Sequence, residues 1–231
     1  MKYLVTGCAG FIGFSLSRKL LENGSKVIGV DNFNKYYSPV LKKDRLDILR
    51  KNKNFQFYKT DISNLMAMDK IFLKNKPFTI AHLAAQAGVR YSLTHPFIYE
   101  KVNILGFLNI LELAKKYKIK NIVYASSSSV YGGIKKIPFR EDMVINQPVS
   151  LYGATKASNE LFAYTYHHLY EINTIGLRFF TCFDGNTEVL TLNGIKNIKD
   201  ILIGEKIYTL NPDTKNMEIS NVVATQKLKA P

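Results

Sequence analysis

A glycine-rich loop near the start of the chain limits the possible folds more than any other feature. Gly7, Gly10 and Gly13 follow a strand-like apolar run, Tyr3–Thr6, and open a segment with apolar residues at helical spacing. Glycines here let the backbone turn tightly and approach a pyrophosphate, which the N–H groups and dipole of a helix N-terminus attract. This order of strand, loop and helix predicts the first unit of a dinucleotide-binding fold.

The alternation of strands and helices continues to about residue 181. Six apolar runs predict buried strands, namely Tyr3–Thr6, Lys26–Val30, Phe55–Tyr58, Thr79–Leu83, Asn121–Ala125 and Thr174–Leu177. Helical patterns lie between them, around Phe11, Ile12, Leu16, Leu20 and Leu21, and at Met66–Leu73, Val102–Lys116 and Tyr152–Tyr170. Regular alternation predicts an α/β fold, a doubly wound parallel sheet over residues 1–181.

Polar and small residues at the ends of the predicted strands indicate where a dinucleotide binds. Asp31 ends the second strand, where an acid can hold the adenosine ribose hydroxyls, which favours NAD over NADP. Asp61 follows the third strand, although an ordinary helix cap explains it equally well. The predicted NAD site comprises Gly7, Gly10, Phe11, Ile12, Gly13, Asp31, Asp61, Ile62, Ala84, Ala85 and Lys156.

Three residues form a candidate catalytic group. Tyr152 and Lys156 are one helical turn apart and therefore share a helix face. An ammonium beside a phenol stabilises the phenolate and lowers the tyrosine pKa, which produces a usable base. Ser127 lies in a serine run after the fifth strand and can hydrogen-bond the same reacting oxygen. A Tyr–Lys pair is common on helices, so this prediction depends on the serine run and the glycine loop.

The charge of the chain is strongly positive but unevenly distributed. Its 32 Lys+Arg and 18 Asp+Glu give a formal net charge of +14. From Cys182 onward six lysines balance six acids (6 − 6 = 0), so the whole excess precedes that residue. A basic excess can indicate nucleic acid binding. The lysines are scattered and no arginine-rich run occurs, so we predict a diphosphate-containing substrate and no nucleic-acid partner.

Composition also bears on the compartment. No apolar run is long enough to span a bilayer, and the first strand begins directly after Met1, so we expect neither a membrane anchor nor a signal peptide. The 2 cysteines, Cys8 and Cys182, lie in different parts of the chain and predict no disulfide. These features favour a cytoplasmic protein.

Five longer stretches carry a resemblance to a known family, namely Val5–Gly13, His82–Ser92, Tyr124–Gly132, Ser150–Lys156 and Gly176–Thr181. Because of these stretches, residues 1–181 resemble the extended short-chain dehydrogenase/reductase family and, more narrowly, UDP-glucuronate 4-epimerases. The resemblance implies NAD-dependent epimerisation of a UDP-sugar at C4, first of all UDP-glucuronate to UDP-galacturonate, by a homodimer. Another UDP-sugar epimerase, a dehydratase or a reductase is the alternative within this class.

The resemblance also implies roles for individual residues. Tyr152 takes the proton of the sugar 4-hydroxyl while C4 gives a hydride to NAD. Ser127 steadies the reacting oxygen, and Lys156 holds both the tyrosine and the nicotinamide ribose. The substrate contacts that it implies are Arg90, Ser128, Ser129 and Thr181. An exposed surface arginine is the other interpretation of Arg90. Family dehydratases carry acids at the two serine positions, which disfavours dehydration here.

The pattern changes at Cys182. Short strands at Glu188–Leu192, Lys206–Leu210 and Ile219–Thr225, separated by turn residues, predict hairpins with no helix of any length. The stretches Cys182–Thr191 and Ile198–Tyr208 resemble an intein, so residues 182–231 are predicted to be its N-terminal, all-β fragment. Its leading thiol would attack the carbonyl of Thr181.

Two questions about this segment stay open. Cys182 could instead be a buried cysteine of a divergent substrate domain. The later intein motifs do not occur before Pro231. We therefore expect a truncated gene product or half of a split intein, whose partner is a C-terminal half of the intein and the epimerase. In either form the present chain would bind NAD without turning over substrate.

The first testable prediction concerns cofactor choice. Asp31 should repel the 2′-phosphate of NADP and accept hydrogen bonds from the ribose hydroxyls of NAD, so NAD should bind more tightly. Asp31→Ala should narrow the difference in affinity between NAD and NADP, because the like-charge repulsion is removed. Calorimetric titration with both nucleotides measures this, and tighter binding of NADP by the unaltered chain would contradict the assignment.

Overall fold

A computed structural model describes residues 1–136, 138–180, 185–211, 214, 216–223 and 225. The chain divides into two compact units, one of residues 1–135 and 140–179 and the other of the described residues of 136–139 and 180–231. Thr181 and Cys182 lie outside the described residues, so the structure does not bear on the roles predicted for them.

The first unit is built on a parallel sheet of six strands in the order β3-β2-β1-β4-β5-β6. The strands are β1 Lys2–Thr6, β2 Lys26–Asp31, β3 Phe55–Lys59, β4 Thr79–His82, β5 Asn121–Ser127 and β6 Asn173–Phe179. All six predicted strands are confirmed. The strand order reverses between β1 and β4, so a crevice opens at their carboxyl ends, where open sheets bind ligands.

Seven helices surround this sheet, namely α1 Phe11–Glu22, α2 Pro39–Arg50, α3 Leu65–Asn75, α4 Val89–Thr94, α5 Pro96–Tyr99, α6 Gly106–Lys116 and α7 Leu151–Tyr170. The helix α2 was not predicted, because it buries few side chains and two of its apolar residues, Val40 and Ile48, are exposed. The single helix predicted over residues 102–116 is in fact a π-helical turn, Glu100–Leu105, that runs into α6. No helix in the described part of the chain has both the length and the apolarity to cross a membrane.

The core lies on both faces of the sheet, as a doubly wound fold requires. Neighbouring residues of a strand point to opposite faces. Leu4 therefore belongs to the larger cluster with Phe72 and Ile110, from α3 and α6. Val5 belongs to the smaller cluster, which includes Leu21 of α1 and Leu49 of α2. The two clusters hold the strands rigidly, and this positions the loops at their carboxyl ends.

The second unit contains an antiparallel sheet of four strands in the order β10-β9-β7-β8. The strands are β7 Glu188–Thr191, β8 Gly194–Asn197, β9 Lys206–Leu210 and β10 Met217–Asn221. The strand β8 was not predicted, and β10 begins two residues before the predicted strand. A three-residue 3₁₀ turn, Ile198–Asp200, follows β8. Such a sheet occurs in many all-β modules, so the intein assignment stays a prediction.

Candidate active site

The glycine loop passes very close to its neighbours. The N–H of Gly7 donates to the carbonyl of Val30 at 2.7 Å, which ties the loop to the end of β2. Gly7 has φ +69°, and a Cβ there would come within 2.9 Å of the Ala84 nitrogen. A Cβ on Gly13 would lie 2.0 Å from the Gly7 carbonyl oxygen. The loop therefore needs glycine at both positions, and it lies at the crevice between β1 and β4.

The helix α1 presents its N-terminus at this loop. Gly10 is the N-cap residue and provides no side-chain hydrogen bond. The side chains of Phe11 and Ile12 are 74% and 42% exposed. The first N–H groups of a helix have no partner within it, and together with the helix dipole they attract an anion. This geometry fits a pyrophosphate, as the sequence predicted.

Asp31 lies beside the loop at the end of β2. Its carboxylate accepts the N–H of Ala9 at 3.2 Å and the N–H of Phe33 at 2.9 Å. Lys42 of α2 lies 3.8 Å from the same carboxylate and is almost fully buried. Burial lowers the pKa of Lys42, and the charge of Asp31 opposes that shift. Lys42 was missed by sequence reasoning because α2 itself was not predicted.

Asp61 holds the turn after β3. Burial raises its pKa, but hydrogen bonds from Ser63 and Asn32 outweigh burial, so the pKa of Asp61 is lowered. The N-cap of α3 is Asn64, whose side chain accepts an N–H three residues later, so a simple cap does not explain the aspartate. The side chain of Ile62, predicted to contact the cofactor, is buried in the larger core cluster.

A buried histidine orients the loop after β4. The Thr6 hydroxyl accepts the N–H groups of Leu83 and Ala84, both at 3.1 Å, and lies 3.0 Å from Nδ1 of His82. With two N–H donors already on that oxygen, its own proton points to the ring nitrogen. Burial lowers the pKa of His82 to about 3, with a smaller effect from Lys156, so the ring stays neutral. No periodicity in the sequence indicated this arrangement.

The structure brings together the three predicted catalytic residues. Burial raises the pKa of the Tyr152 phenol, and the neighbouring Ser127 hydroxyl opposes that rise. Lys156 is buried, and its Nζ donates to the carbonyl of Ala125 at 2.8 Å. Burial lowers the pKa of Lys156 to about 8. All lie where β5 ends and α7 begins.

One expectation about this group is wrong. We predicted that the lysine ammonium lowers the pKa of Tyr152. Instead burial raises the pKa of this tyrosine; the Ser127 hydroxyl opposes the rise, and Tyr36 adds to it. The physical reason is that the ammonium of Lys156 is held by the Ala125 carbonyl, and the phenol is taken out of water.

A buried amide connects the loop after β4 with α7. Asn103, in the π-helical turn, accepts the N–H of Gln86 at 2.8 Å and donates to the carbonyl of the same residue at 3.1 Å. It also donates to the Thr155 hydroxyl at 3.1 Å. Asn159 in turn donates to the Asn103 carbonyl at 2.8 Å. This network was not predicted, because its members are distant in sequence and buried polar residues show no periodic signal.

Arg178, in the stretch Gly176–Thr181 that carries part of the family resemblance, holds β6 to α7. Its guanidinium contacts Glu160 of α7 at 2.8 and 3.0 Å and donates to the Tyr131 hydroxyl at 3.1 Å. Ser126 of β5 donates to the same glutamate. Both charged side chains are largely buried, and the pair joins β6 to α7.

The predicted substrate residues are only partly brought together. Ser128 and Ser129 begin a 3₁₀ turn directly after β5, and the N–H of Ser129 donates to the Ser127 hydroxyl at 3.2 Å. Arg90 is exposed on α4, and within the part of the chain that the structure describes no hydrogen bond or ion pair joins it to them. Thr181 is outside the described residues.

Comparison with known proteins places these features in a family. The family model described as GDP-mannose 4,6 dehydratase matches residues 4–214. An uncharacterized protein of Methanocaldococcus jannaschii is 51% identical over 216 residues, which cover 91% of this chain and 66% of the relative. The UDP-glucuronate 4-epimerase of Thermodesulfobacterium geofontis is 48% identical over 181 residues, 78% of this chain and 56% of that enzyme. The chain thus spans between about half and two thirds of the length of these relatives.

Solved structures show the same relationship. The UDP-glucuronic acid 4-epimerase of Bacillus cereus, in complex with UDP-glucuronic acid and NAD, has a TM-score of 0.71 at 38% identity and covers 79% of this chain and 57% of its own. The UDP-glucose 4-epimerase of Thermotoga maritima, with UDP-glucose, has a TM-score of 0.69 at 36% identity, covering 77% and 55%.

The buried lysine provides a prediction about pH. Because the pKa of Lys156 falls from 10.5 to about 8 on folding, the unfolded chain binds more protons than the folded chain between these two values. The free energy of unfolding should therefore rise with pH across this window, by roughly 3 kcal/mol from this group. Denaturant titrations at several pH values measure it.

Lys156→Met should remove the rise and stabilise the chain at pH 7, since no ammonium is then buried. Lys43→Met is the matched control, because that side chain on α2 is 73% exposed, and it should leave the rise intact. Equal pH dependence in the unaltered chain and in Lys156→Met would show that the ammonium is not buried.

Proposed function

Because the chain belongs to the family of NAD-dependent nucleotide-sugar epimerases and dehydratases, we propose that residues 1–181 are the cofactor-binding and catalytic part of a UDP-sugar 4-epimerase. The observation that carries this proposal is the position of Tyr152, close to Ser127 and followed one turn later by Lys156, on the sheet edge that also bears the glycine loop.

The residues present fit NAD. The backbone of Gly7 and Gly13 leaves no room for side chains, so the loop can lie directly against a diphosphate at the start of α1. Asp31 is placed for the adenosine ribose, since each oxygen that accepts a backbone N–H retains a free lone pair. A dinucleotide held there by Gly7, Gly13 and Asp31 would supply reversible hydride transfer at the sugar carbon.

The chain itself positions the sugar and moves one proton. Tyr152 accepts the proton of the 4-hydroxyl and later returns it. Ser127, which lies beside the phenol, holds the reacting oxygen. Because burial raises the pKa of the phenol, the phenolate needs a nearby cation. Lys156, one turn later on α7, would supply it when its ammonium turns from the Ala125 carbonyl to the phenol. The Asn103 network and the Arg178–Glu160 pair keep that helix in register with the loops.

We propose UDP-glucuronate as the substrate, with Arg90 and Thr181 on the sugar carboxylate. The names of the Thermodesulfobacterium geofontis and Bacillus cereus proteins support this choice. Ser128 and Ser129 stand where a dehydratase would need acids, which favours epimerisation. Another UDP-sugar, as in the Thermotoga maritima enzyme, is the second candidate. Faster turnover of UDP-glucose than of UDP-glucuronate by the full-length enzyme would contradict UDP-glucuronate as the substrate.

We also propose that the full-length enzyme is a homodimer. Large apolar side chains are exposed on α5 and α7, among them Phe97 at 83%, Leu161 at 67% and Tyr164 at 70%. A second copy would cover such side chains, which a lone subunit would leave in water. Sedimentation of the full-length enzyme as a monomer would contradict this.

The cofactor assignment has a direct test. The chain should bind NAD in calorimetry but should not epimerise UDP-glucuronate, since the relatives contain much more sequence than it spans. Gly13→Ala should weaken NAD binding by about tenfold or more, because the new Cβ would displace the loop.

Gly133→Ala is the matched control for that variant. Its Cβ would meet only a Val149 methyl at 3.6 Å, so NAD binding should not change. Measurable turnover by this chain alone would show that its active site is already complete, and absence of NAD binding would overturn the cofactor assignment.

We propose, separately, that residues 182–231 are the N-terminal part of an intein whose partner is a C-terminal half of intein and epimerase. The change in charge, the hairpin pattern and the antiparallel sheet support this. A divergent continuation of the enzyme is the alternative, and it is supported by the family match, which extends to residue 214, and by the 91% coverage of the Methanocaldococcus jannaschii alignment.

Cys182 distinguishes the two possibilities. In the intein, this chain mixed with a C-terminal half should excise everything from Cys182 onward and join Thr181 to the rest of the enzyme. Cys182→Ala should abolish this ligation, because the thiol nucleophile is lost, whereas Cys8→Ala should not affect it. Intact-mass measurement gives the answer. Normal ligation by Cys182→Ala would refute the intein, and so would the absence of ligation in the unaltered pair.

A further inference from the structure

One of the four basic residues of α2 differs from the others because it forms no ion pair with a carboxylate among the described residues. Three of the four have a carboxylate partner: Lys42 pairs with Asp31 at 3.8 Å, and both Lys43 and Arg50 pair with Asp47, at 3.8 and 3.9 Å. The fourth, Arg45, is partly buried, and among the described residues it forms no ion pair. A cation that is partly withdrawn from water without a counter-charge costs free energy, which an anionic ligand would offset.

Arg45 lies directly against the glycine loop. Its Nη1 donates to the Ala9 carbonyl at 3.4 Å, and its guanidinium lies 5.9 Å from the centre of the Phe11 ring. Burial raises the pKa of Tyr37, and the nearby charge of Arg45 opposes that rise; the Tyr37 hydroxyl also lies 3.2 Å from the point where a Cβ of Gly10 would stand. Two residues of this contact set, Gly10 and Phe11, begin α1. The guanidinium is therefore beside the helix end that would receive the diphosphate.

We propose that Arg45 is a further cofactor-binding residue, which contacts the diphosphate of the dinucleotide from the α2 side of the crevice. The inference rests on the proposed function, because it requires that this crevice binds a dinucleotide. The N–H groups of α1 and the glycine loop are neutral donors, while a diphosphate carries two negative charges. A planar guanidinium is suited to bind two phosphate oxygens at once.

The existing contacts of Arg45 permit this role. Its hydrogen bond to Ala9 is long and is made to a neutral carbonyl, so a charged phosphate oxygen is the stronger acceptor. The contacts with the Ala9 carbonyl and the Phe11 ring keep the side chain at the loop. A purely structural role, in which Arg45 clamps α2 to the loop, is the competing explanation.

A series of adenine nucleotides distinguishes the two explanations. Adenosine, ADP and NAD share the base and ribose, but only the last two carry a diphosphate. Arg45→Gln keeps a side chain that can hydrogen-bond the loop and removes the charge. This variant should bind ADP and NAD about tenfold to a hundredfold more weakly, which is the usual effect of losing a charge-assisted hydrogen bond. Its affinity for adenosine should not change. NMR titration measures all three in the intact chain.

Arg50→Gln is the matched control, since it removes the same charge from the same helix at a pair that is about half exposed, and it should bind all three ligands normally. An equal loss of affinity for adenosine and for ADP in Arg45→Gln would mean that the residue only shapes the site. Unchanged affinity for ADP would mean that it does not contact the phosphates. Either result overturns the inference while NAD binding by the unaltered chain keeps the proposed function. If the unaltered chain binds neither ADP nor NAD, both are wrong.

Discussion

The close approach of the glycine loop to the ends of β1, β2 and β4 is the constraint on which the remainder of the site depends. A Cβ at Gly13 would overlap the Gly7 carbonyl, and a Cβ at Gly7 would press on Ala84. Because the loop is this tight, α1 starts immediately beyond it and directs its N-terminus at the crevice. Asp31 then accepts a loop N–H, beside the position that we propose for the ribose. One short segment of backbone thus forms both the proposed anion site and the proposed ribose site.

The catalytic helix is held in place by polar contacts in the interior. Asn103 connects the loop after β4 with Thr155, one residue before Lys156. The Glu160–Arg178 pair attaches the same helix to β6. Breaking such a largely buried pair from one side typically costs about 3–5 kcal/mol, because the other charge is left without a partner. These contacts keep two hydroxyls and an ammonium from β5 and α7 in register.

Burial sets the protonation of the site. It lowers the pKa of His82 and Lys156 and raises that of Tyr152, in each case by disfavouring the charged form. The histidine is consequently a neutral hydrogen-bond acceptor for Thr6, and the lysine titrates close to neutral pH. The proposed base is thus a protonated phenol, and the nearby ammonium loses its proton more easily than an exposed lysine. Such a site depends on its ligands to complete the electrostatics, in agreement with the finding that Arg45 forms no ion pair among the described residues.

The sequence by itself determined the strand and helix order of the first unit, the glycine loop, Asp31 and the Ser127–Tyr152–Lys156 group, because periodicity and short spacings record local geometry directly. It also predicted the change to hairpins after residue 182, though not β8. Only the tertiary structure decided which way Lys156 points, that Arg178 braces a helix, that Asn103 and His82 hold the loops around the site, and that Arg45 lies against the glycine loop. These residues depend on partners that are far away in the chain, and burial and charge act through distance in space, which no local pattern contains.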